Sequence, residues 1–226
     1  MQTAASETVK DILPAPIYDA IEAHITRRAQ HAQEGWEGGS DEEDTLTGDL
    51  GATFRTPWSS PIRSNGDIWL WRMSYKKFRG RGYGAFEKES GADGIFQVEV
   101  TRGSEMEFKG LMFQAKKTGQ LNGDLASQVE RMEAMAPQGS AVFEYGPDSY
   151  RAIAGHDYLT EASIDKSRIG RALQPLGGFL VDFLSCTYGL RGMHYDAIRG
   201  LLILPNGSAY RVSLAHRFLI EAYSLS

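Results

Sequence analysis

An acid, an amide and a lysine occur at a spacing that one β-hairpin would bring together: Asp93, Gln114 and Lys116. Runs rich in apolar residues, at 95–100 and 111–113, flank a polar segment that contains glycine. Runs of β-branched and aromatic residues separated in this way are typical of a hairpin. The three polar groups lie at the open end of the predicted hairpin, and their convergence predicts an active site.

The turn of this hairpin determines which side chains meet. A turn centred near Ser104 and Glu105 places Asp93 opposite Lys116. Side chains alternate between the two faces of a strand, so Gln114 and Lys116 project from the same face. The hairpin is therefore expected to present a carboxylate, an amide and an ammonium group together at one strand end.

These residues resemble a known family. A Gly-Ala-Asp sequence that ends at Asp93 is followed about twenty positions later by a Gln-Ala-Lys sequence that ends at Lys116. This arrangement resembles the PD-(D/E)XK nuclease superfamily, specifically its Mrr-like branch, in which glutamine stands where most members carry a second acid. The resemblance implies a restriction-endonuclease-like fold and a metal-dependent endonuclease that hydrolyses phosphodiester bonds in DNA.

The resemblance also implies a role for each residue. Asp93, the side-chain oxygen of Gln114 and the backbone carbonyl of Ala115 would bind Mg²⁺, for which Mn²⁺ could substitute. Magnesium keeps several waters and binds only one or two carboxylates, which such a set can satisfy. Lys116 would deprotonate or orient the attacking water and offset charge that develops on the phosphate. A turn aspartate and a solvated strand-end lysine would explain the same residues without any site.

A further acid lies in the helix predicted before the sheet. Ser40 opens an acidic segment and is expected to be the N-cap residue of this helix. At about 100° per residue, Glu43 falls on the apolar stripe that contains Leu46 and Leu50. The resemblance makes Glu43 a further metal ligand, with Asp44 as the reserve candidate. A Ser-x-x-Glu capping box would explain Glu43 without any function.

A cluster of positive charge follows the strand predicted at residues 67–75. Lys76, Lys77, Arg79 and Arg81 fall within six residues and alternate with aromatic residues in a glycine-rich setting. Such a segment suits a loop that binds phosphates and stacks on bases. A solvated loop without a ligand is the alternative interpretation.

A helix is predicted after the hairpin, with Leu125, Val129 and Met132 on its apolar side. Gln128 borders this apolar side. The resemblance makes Gln128 a contact to phosphate or water beside the site, and an ordinary helix-surface glutamine is the alternative.

Composition narrows the class of protein. The chain has 226 residues, of which 42% are hydrophobic and 23% charged, and this predicts one domain with a sizeable core. The net charge of -5 argues against indiscriminate nucleic-acid binding but is compatible with a nuclease, because a cation neutralises acids around a metal site. Neither a leader nor a membrane span is recognised, so a cytoplasmic protein without membrane contact is expected.

The order of predicted elements favours a mixed α/β fold. A restriction-endonuclease-like core is expected over residues 40–155, with a central mixed sheet of four or five strands flanked by helices. Residues 156–226 are expected to form a C-terminal α+β elaboration packed on that core, so that 1–226 is a single domain. This elaboration includes a buried helix that starts near Pro175 and a hairpin around residues 201–214.

The remaining candidates for chemistry are interpreted as structural. His156, His194 and His216 share no metal-ligand spacing and are expected to be structural or surface residues. The single cysteine, Cys186, lies in an apolar stretch without a histidine or cysteine nearby and is expected to pack in the core.

Two functions remain open at this stage. The first is a magnesium-dependent endonuclease that acts on DNA in a restriction or antiphage defence system, with a second protein of that system as a partner and with homodimerisation open. The second is a catalytically inactive subunit of the same fold that binds nucleic acid or a partner protein. Gln114 keeps the second open, because a neutral amide holds a cation less firmly than a carboxylate.

Overall fold

The computed structural model describes residues 9–39, 42–78, 90–121, 123–185 and 187–225. Four residues to which the sequence assigns a role lie outside these ranges: Ser40, Arg79, Arg81 and Cys186. Among the described residues, no helix is both long and apolar enough to cross a membrane.

Helices occur on both sides of the sheet. They are α1 (Val9–Ile12), α2 (Ala15–Gln33), α3 (Trp36–Gly39), α4 (Glu43–Phe54), α5 (Leu125–Met135), α6 (Gly155–Ile164), α7 (Ile169–Ala172) and α8 (Leu176–Leu184), with a 3₁₀ turn at Lys166–Arg168. The spacing of Ile17, Ile21 and Ile25 in the sequence predicts a helix from Ala15 to about Gln33 with one buried stripe, and this is confirmed because all three are fully buried in α2. The expected buried helix after Pro175 is α8.

The strands form one large mixed sheet and one small antiparallel sheet. They are β1 (Ile62–Ser64), β2 (Asp67–Lys77), β3 (Gly94–Arg102), β4 (Glu105–Lys117), β5 (Ser140–Tyr145), β6 (Tyr150–Ala154), β7 (Gln174–Pro175), β8 (Leu190–Arg191), β9 (His194–Asp196), β10 (Leu201–Ile203), β11 (Ala209–Arg211) and β12 (His216–Ser224). The large sheet has the order β1-β2-β12-β3-β4-β5-β6-β7, and β8 pairs with β4. The small sheet has the order β11-β10-β9.

The mixed α/β class is confirmed, whereas the expected number of four or five strands is wrong. The large sheet has nine strands. Three of them, β1, β7 and β8, are two or three residues long, which is too short to show the alternation by which a strand is recognised. The predicted hairpin around residues 201–214 is present as the antiparallel pair of β10 and β11.

The largest difference from expectation concerns the C-terminal strand, β12. It pairs in antiparallel fashion with β2 and in parallel with β3, and so lies inside the large sheet. Residues 156–226 are therefore more than an addition to a core of residues 40–155. Phe218 and Ile220 of β12 are fully buried in the same core cluster as Phe96 and Val98 of β3.

The hairpin of β3 and β4 is confirmed, but its register differs from the expected one. Its turn consists of Gly103 and Ser104, and Gly103 has φ +60°, as the first position of a two-residue type II′ turn requires. The register pairs Gly94 with Phe113. Continuing that register places Asp93 opposite Gln114, two residues away from the predicted partner Lys116.

Two layers cover the sheet. On one face, α2, α4 and α8 pack against strand residues in the larger apolar cluster. On the other face, α5, α6, α7 and the small sheet surround the second cluster. The side chains of β4 alternate accordingly, because Phe113 and Ala115 belong to the first cluster and Met112 to the second.

We predict that a chain ending after Ala215, which lacks β12, loses the fold. Removal of β12 separates β2 from β3 and exposes side chains that are buried on both strands. Burial of each such side chain stabilises the fold by about 1.5 to 3 kcal/mol. Thermal unfolding followed by circular dichroism should show no cooperative transition. A chain ending after Ser224 is the control and should unfold like the full chain. A cooperative transition in the shorter chain would contradict the central role of β12.

Candidate active site

Five strands have one terminus at the same edge of the large sheet. β2 ends at Lys77 and β12 begins at His216, and these two residues are paired. His216 is also paired with Gly94 at the start of β3. β4 ends at Lys117, which is paired with Tyr145 at the end of β5. Polar side chains from distant parts of the sequence therefore meet at this edge.

Asp93 lies at the centre of the edge and is held by its neighbours on both sides. Its carboxylate oxygen Oδ2 accepts hydrogen bonds from Gln114 Nε2 at 2.6 Å and from the backbone amide of Ala115 at 2.8 Å. Its backbone carbonyl accepts hydrogen bonds from the amides of Ala215 and His216, at 2.8 and 3.1 Å. Among the described residues, the second carboxylate oxygen, Oδ1, makes no hydrogen bond.

Glycine at position 94 permits the close approach of these strands. A Cβ atom there would lie 2.5 Å from the ring of Phe113 and 2.6 Å from the carbonyl oxygen of His216. Both distances are shorter than van der Waals contact allows. Gly94 therefore lets β3 fit between its two neighbours directly beside Asp93.

Burial raises the pKa of Asp93 to about 6. The backbone amide of Ala115, the charge of Lys116 and the amide of Gln114 oppose this rise, and the negative charge of Glu43 adds to it. The pKa of Asp93 thus lies between its ordinary acidic range and neutrality. At neutral pH the carboxylate is ionised, although its surroundings favour the protonated form.

Glu43 lies beside Lys116 at the same edge. Lys116 Nζ donates to Glu43 Oε2 at 3.3 Å, and the backbone amide of Lys117 donates to Glu43 Oε1 at 3.2 Å. About a quarter of the Glu43 side chain and a fifth of the Lys116 side chain are exposed, at 24% and 19%, so an approaching ligand can reach both. The expectation that Glu43 points toward the sheet is confirmed.

The expected cap of α4 is wrong. Glu43 is the first residue of the helix, and the N-cap residue is Glu42, which makes no side-chain hydrogen bond of the capping type. In a capping box the glutamate would be the third residue of the helix. Glu43 therefore does not serve as the capping-box glutamate, and its carboxylate binds β4 instead.

Asp44 and His216 form a second cluster next to Asp93. Asp44 Oδ1 lies 2.9 Å from His216 Nε2, and the other oxygen of Asp44 binds Lys77. The hydroxyl of Tyr75 lies 2.7 Å from His216 Nδ1. Burial lowers the pKa of His216, and burial also raises the pKa of Tyr75 to about 12, so both groups are neutral at neutral pH.

Sequence patterns give no sign that His216 belongs to the site. It is predicted to be structural or at the surface, and the first alternative agrees with the structure, because its side chain is buried. Only its position at the start of a strand that pairs with β3 brings it near Asp93. The sequence shows locally only that a histidine starts an apolar strand. This does not indicate which residues the histidine contacts.

A cavity of about 330 Å³ adjoins Lys116. It is lined by Lys116, Gln120, Asp124, Leu125 and Gln128. The side-chain oxygen of Gln128 is buried and has no hydrogen-bond partner among the described residues. The structure therefore brings Gln128 and Lys116 to the lining of one cavity, beside the predicted site.

The described part of the basic cluster lies at the same edge. Lys76 and Lys77 are exposed and are the last residues of β2. Lys77 forms an ion pair with Asp44, and Lys76 Nζ lies 5.2 Å from the ring centroid of Phe78. Arg79 and Arg81 are outside the described residues, so their expected role stays a prediction.

The oxygens expected to bind a metal converge around the amide of Gln114. Its Nε2 lies 2.6 Å from Asp93 Oδ2 and 3.3 Å from the carbonyl oxygen of Ala115. Rotating the Gln114 amide by half a turn would place its side-chain oxygen beside Asp93 Oδ2 and the carbonyl oxygen of Ala115. Together with Glu43 the edge then offers two carboxylates, one amide and one carbonyl, which is a ligand set suited to Mg²⁺.

No cluster of three or more histidine, cysteine, aspartate or glutamate residues suited to a metal occurs in the described part of the chain. Comparisons of the chain with protein-family models, curated proteins and solved structures give no match. A functional assignment therefore depends on the chemistry of the residues at the sheet edge. Asp93, Gln114, Ala115, Lys116 and Glu43 are together there, as the sequence predicts.

We predict that Asp93→Asn changes how stability depends on pH. Because the pKa of Asp93 is about 6 in the folded protein against 3.8 ordinarily, its contribution is fully present below pH 4 and is lost as the pH rises to about 6. This difference in pKa corresponds to a change of roughly 3 kcal/mol in the free energy of unfolding. Relative to the wild type, the variant should gain up to that amount in unfolding free energy between pH 4 and 7.

The measurement is urea unfolding of both proteins at pH 4, 5, 6 and 7. Other carboxylates titrate in both proteins alike, so the difference between the two curves isolates Asp93. A constant difference across this range would show that Asp93 is not held in a surrounding that disfavours its charge.

Proposed function

We propose that this protein is a metal-dependent endonuclease that hydrolyses phosphodiester bonds in DNA. The observation that carries the proposal is the meeting of Asp93, Gln114 and the Ala115 carbonyl around one point, with Lys116 and Glu43 beside them. This is the combination implied by the resemblance to the Mrr-like branch of the PD-(D/E)XK nucleases. A hydrolase of this kind adds water across a phosphorus–oxygen bond and leaves a phosphate monoester and a hydroxyl.

Four groups of the chain would hold the metal. These are the carboxylate of Asp93, the side-chain oxygen of Gln114, the carbonyl of Ala115 and the carboxylate of Glu43. When bound, Mg²⁺ supplies charge stabilisation at the phosphate and lowers the pKa of water. Gln114 must turn its amide for this, because its nitrogen now faces Asp93.

The protein's own groups would orient the Asp93 carboxylate and supply positive charge. The amide of Ala115 keeps the Asp93 carboxylate in one orientation, at 2.8 Å. Lys116 would contribute positive charge where negative charge develops on a phosphate. Its present partner is Glu43, so metal binding by Glu43 would release the ammonium group toward a substrate.

The surroundings of the site favour a polyanionic substrate. The cavity of about 330 Å³ beside Lys116 would take a phosphate, to which Lys116 and the amide nitrogen of Gln128 would donate. Lys76 and Lys77 lie at the same edge, and Arg79 and Arg81 follow them in sequence. Contacts of this kind bind the phosphate backbone and carry no sequence information.

We place this activity in a restriction or antiphage defence system, in the cytoplasm and with a second protein that controls it. The chain has no motor or helix-turn-helix signature of its own, so target choice would come from that partner. Homodimerisation would let two such sites cut both strands of a duplex.

A second candidate is a catalytically inactive subunit that binds nucleic acid or a protein partner. One observation favours it: the Gln114 nitrogen and the Ala115 amide both donate to Asp93 Oδ2, while Lys116 binds Glu43. These donors and acceptors are thus paired with one another without a metal. Such an arrangement is expected of a site that has lost catalysis.

We predict that Asp93→Ala and Lys116→Ala abolish DNA cleavage in Mg²⁺ while the proteins remain folded. Removal of Asp93 should also abolish Mn²⁺ binding measured by calorimetry, whereas removal of Lys116 should preserve it, because Asp93 is a proposed ligand and Lys116 is not. Asp67→Ala, at the opposite end of β2, is the control and should cleave normally.

Undiminished cleavage by both site variants would refute the proposed nuclease. Absence of Mn²⁺ binding by the wild type, even with a DNA duplex present, would instead favour the inactive subunit. Saturable Mn²⁺ binding that Asp93→Ala abolishes would exclude that second candidate.

We predict a separate role for the basic cluster. Replacing Lys76, Lys77, Arg79 and Arg81 together by alanine should weaken binding to a short DNA duplex, and the effect should shrink as salt rises. Each lost phosphate contact reduces the salt slope by roughly one unit. Mn²⁺ binding at Asp93 should be unchanged.

The measurement is duplex affinity across a salt series, with the wild type alongside. A control with the same change in net charge replaces Arg27, Arg28, Arg63 and Arg102, none of which lies at the site edge. Its salt slope should match the wild type. Equal slopes for the four-residue basic variant and the wild type would show that the cluster carries only solvated charges without a ligand.

A further inference from the structure

The first turn of α4 is anchored at two points, on either side of Asp93. On one side, Glu43 accepts hydrogen bonds from Lys116 Nζ and from the amide of Lys117 on β4. On the other side, Asp44 binds His216 of β12 and Lys77 of β2. Because Glu43 and Asp44 are adjacent in the chain, the position of one carboxylate limits the position of the other.

The buried member of this arrangement is His216. Its side chain is 2% exposed, whereas those of Asp44 and Lys77 are about half exposed. The Asp44 carboxylate can only accept, so Nε2 of the neutral imidazole carries the proton and donates at 2.9 Å. Nδ1 is then an acceptor, and the Tyr75 hydroxyl donates to it at 2.7 Å.

Tyr75 is itself fixed against α4. A Cβ atom at Gly51 of α4 would lie 2.2 Å from the Tyr75 ring, so the ring occupies the space that only a glycine leaves free. The Tyr75 and His216 rings stack, with centroids 6.0 Å apart and an interplanar angle of 18°. The orientation of the imidazole is set by hydrogen bonds at both of its nitrogens, to Tyr75 on one side and to Asp44 on the other.

The backbone of His216 is joined to the other part of the site. Its amide and that of Ala215 donate to the carbonyl oxygen of Asp93, at 3.1 and 2.8 Å. One residue thus contacts Asp93 through its main chain and the acidic turn of α4 through its side chain. Among the described residues, His216 is the direct link between Asp93 and Asp44.

We propose that His216 is a positioning residue for the active site. By holding Asp44, it fixes the first turn of α4 so that Glu43 stays beside Lys116 and Asp93. His216 does not touch the metal or the substrate. Its effect on metal binding rests on the proposed function, whereas its hold on α4 is a property of the fold that can be measured separately.

The first test measures amide hydrogen exchange in the absence of metal. His216→Leu removes both side-chain hydrogen bonds and should speed exchange at the Lys117 amide, which donates to Glu43, and at the amides of residues 46 and 47. His216→Gln keeps an N–H that can reach Asp44 and should restore most of the protection. His194→Leu, a half-buried histidine stacked on Phe108, is the control and should leave the Lys117 amide unchanged.

A second variant covers the case in which His216→Leu does not fold. Asp44→Ala removes the contact between Asp44 and His216 by changing Asp44. The Asp44 side chain is 48% exposed, so this variant is expected to fold. It should speed exchange at the Lys117 amide as His216→Leu does. Unchanged exchange at this amide in every variant that folds would overturn the positioning role.

The second test asks whether this positioning serves the metal. We expect His216→Leu to weaken Mn²⁺ binding about tenfold, because replacing a residue that supports a metal ligand typically has an effect of this size. Because His216 acts through Glu43, the double variant with Glu43→Gln should bind Mn²⁺ no more weakly than Glu43→Gln alone. Losses of affinity that simply add would overturn the coupling. A wild type that binds no Mn²⁺ would refute the proposed nuclease, and the exchange experiment would still decide whether His216 holds α4.

Discussion

The carbonyl oxygen of Asp93 accepts hydrogen bonds from the backbone amides of Ala215 and His216. This contact joins the start of the hairpin to the start of the C-terminal strand, and the parallel pairing of β3 with β12 continues from it. β2 then pairs with the free edge of β12, and β4 with that of β3. The edge at which the polar groups meet exists only because this last strand of the chain lies in the middle of the sheet.

The electrostatics of the edge follow from its geometry. Asp93 is placed where burial raises its pKa to about 6, and the nearby ammonium group and amides offset only part of that effect. Structural ion pairs can also shift pKa values, but a carboxylate in an unfavourable position beside a lysine is characteristic of functional sites. Such a position lowers stability at neutral pH, and a bound cation would reverse that effect because it favours the ionised carboxylate.

Local patterns in the sequence were sufficient for several features of the fold and of the candidate site. Alternating apolar residues predicted the hairpin, and helical spacing predicted the stripe of α2 and the inward direction of Glu43. The convergence of Asp93, Gln114 and Lys116 was also predictable, because all three belong to one hairpin whose partners are close in the chain. Periodicity carries this information since it depends only on near neighbours.

The geometry of one turn and the tertiary structure decided the remaining features. The two-residue turn at Gly103 set the register, so that Asp93 faces Gln114 and not Lys116. The placement of β12, and with it the link from His216 to Asp44, depends on a parallel pairing between segments far apart in the chain. What the sequence determined by itself was therefore most of the longer elements and the chemistry of their side chains. Which elements became neighbours was decided by the packing of the whole chain, because strand order is set by burial of both sheet faces and leaves no local pattern.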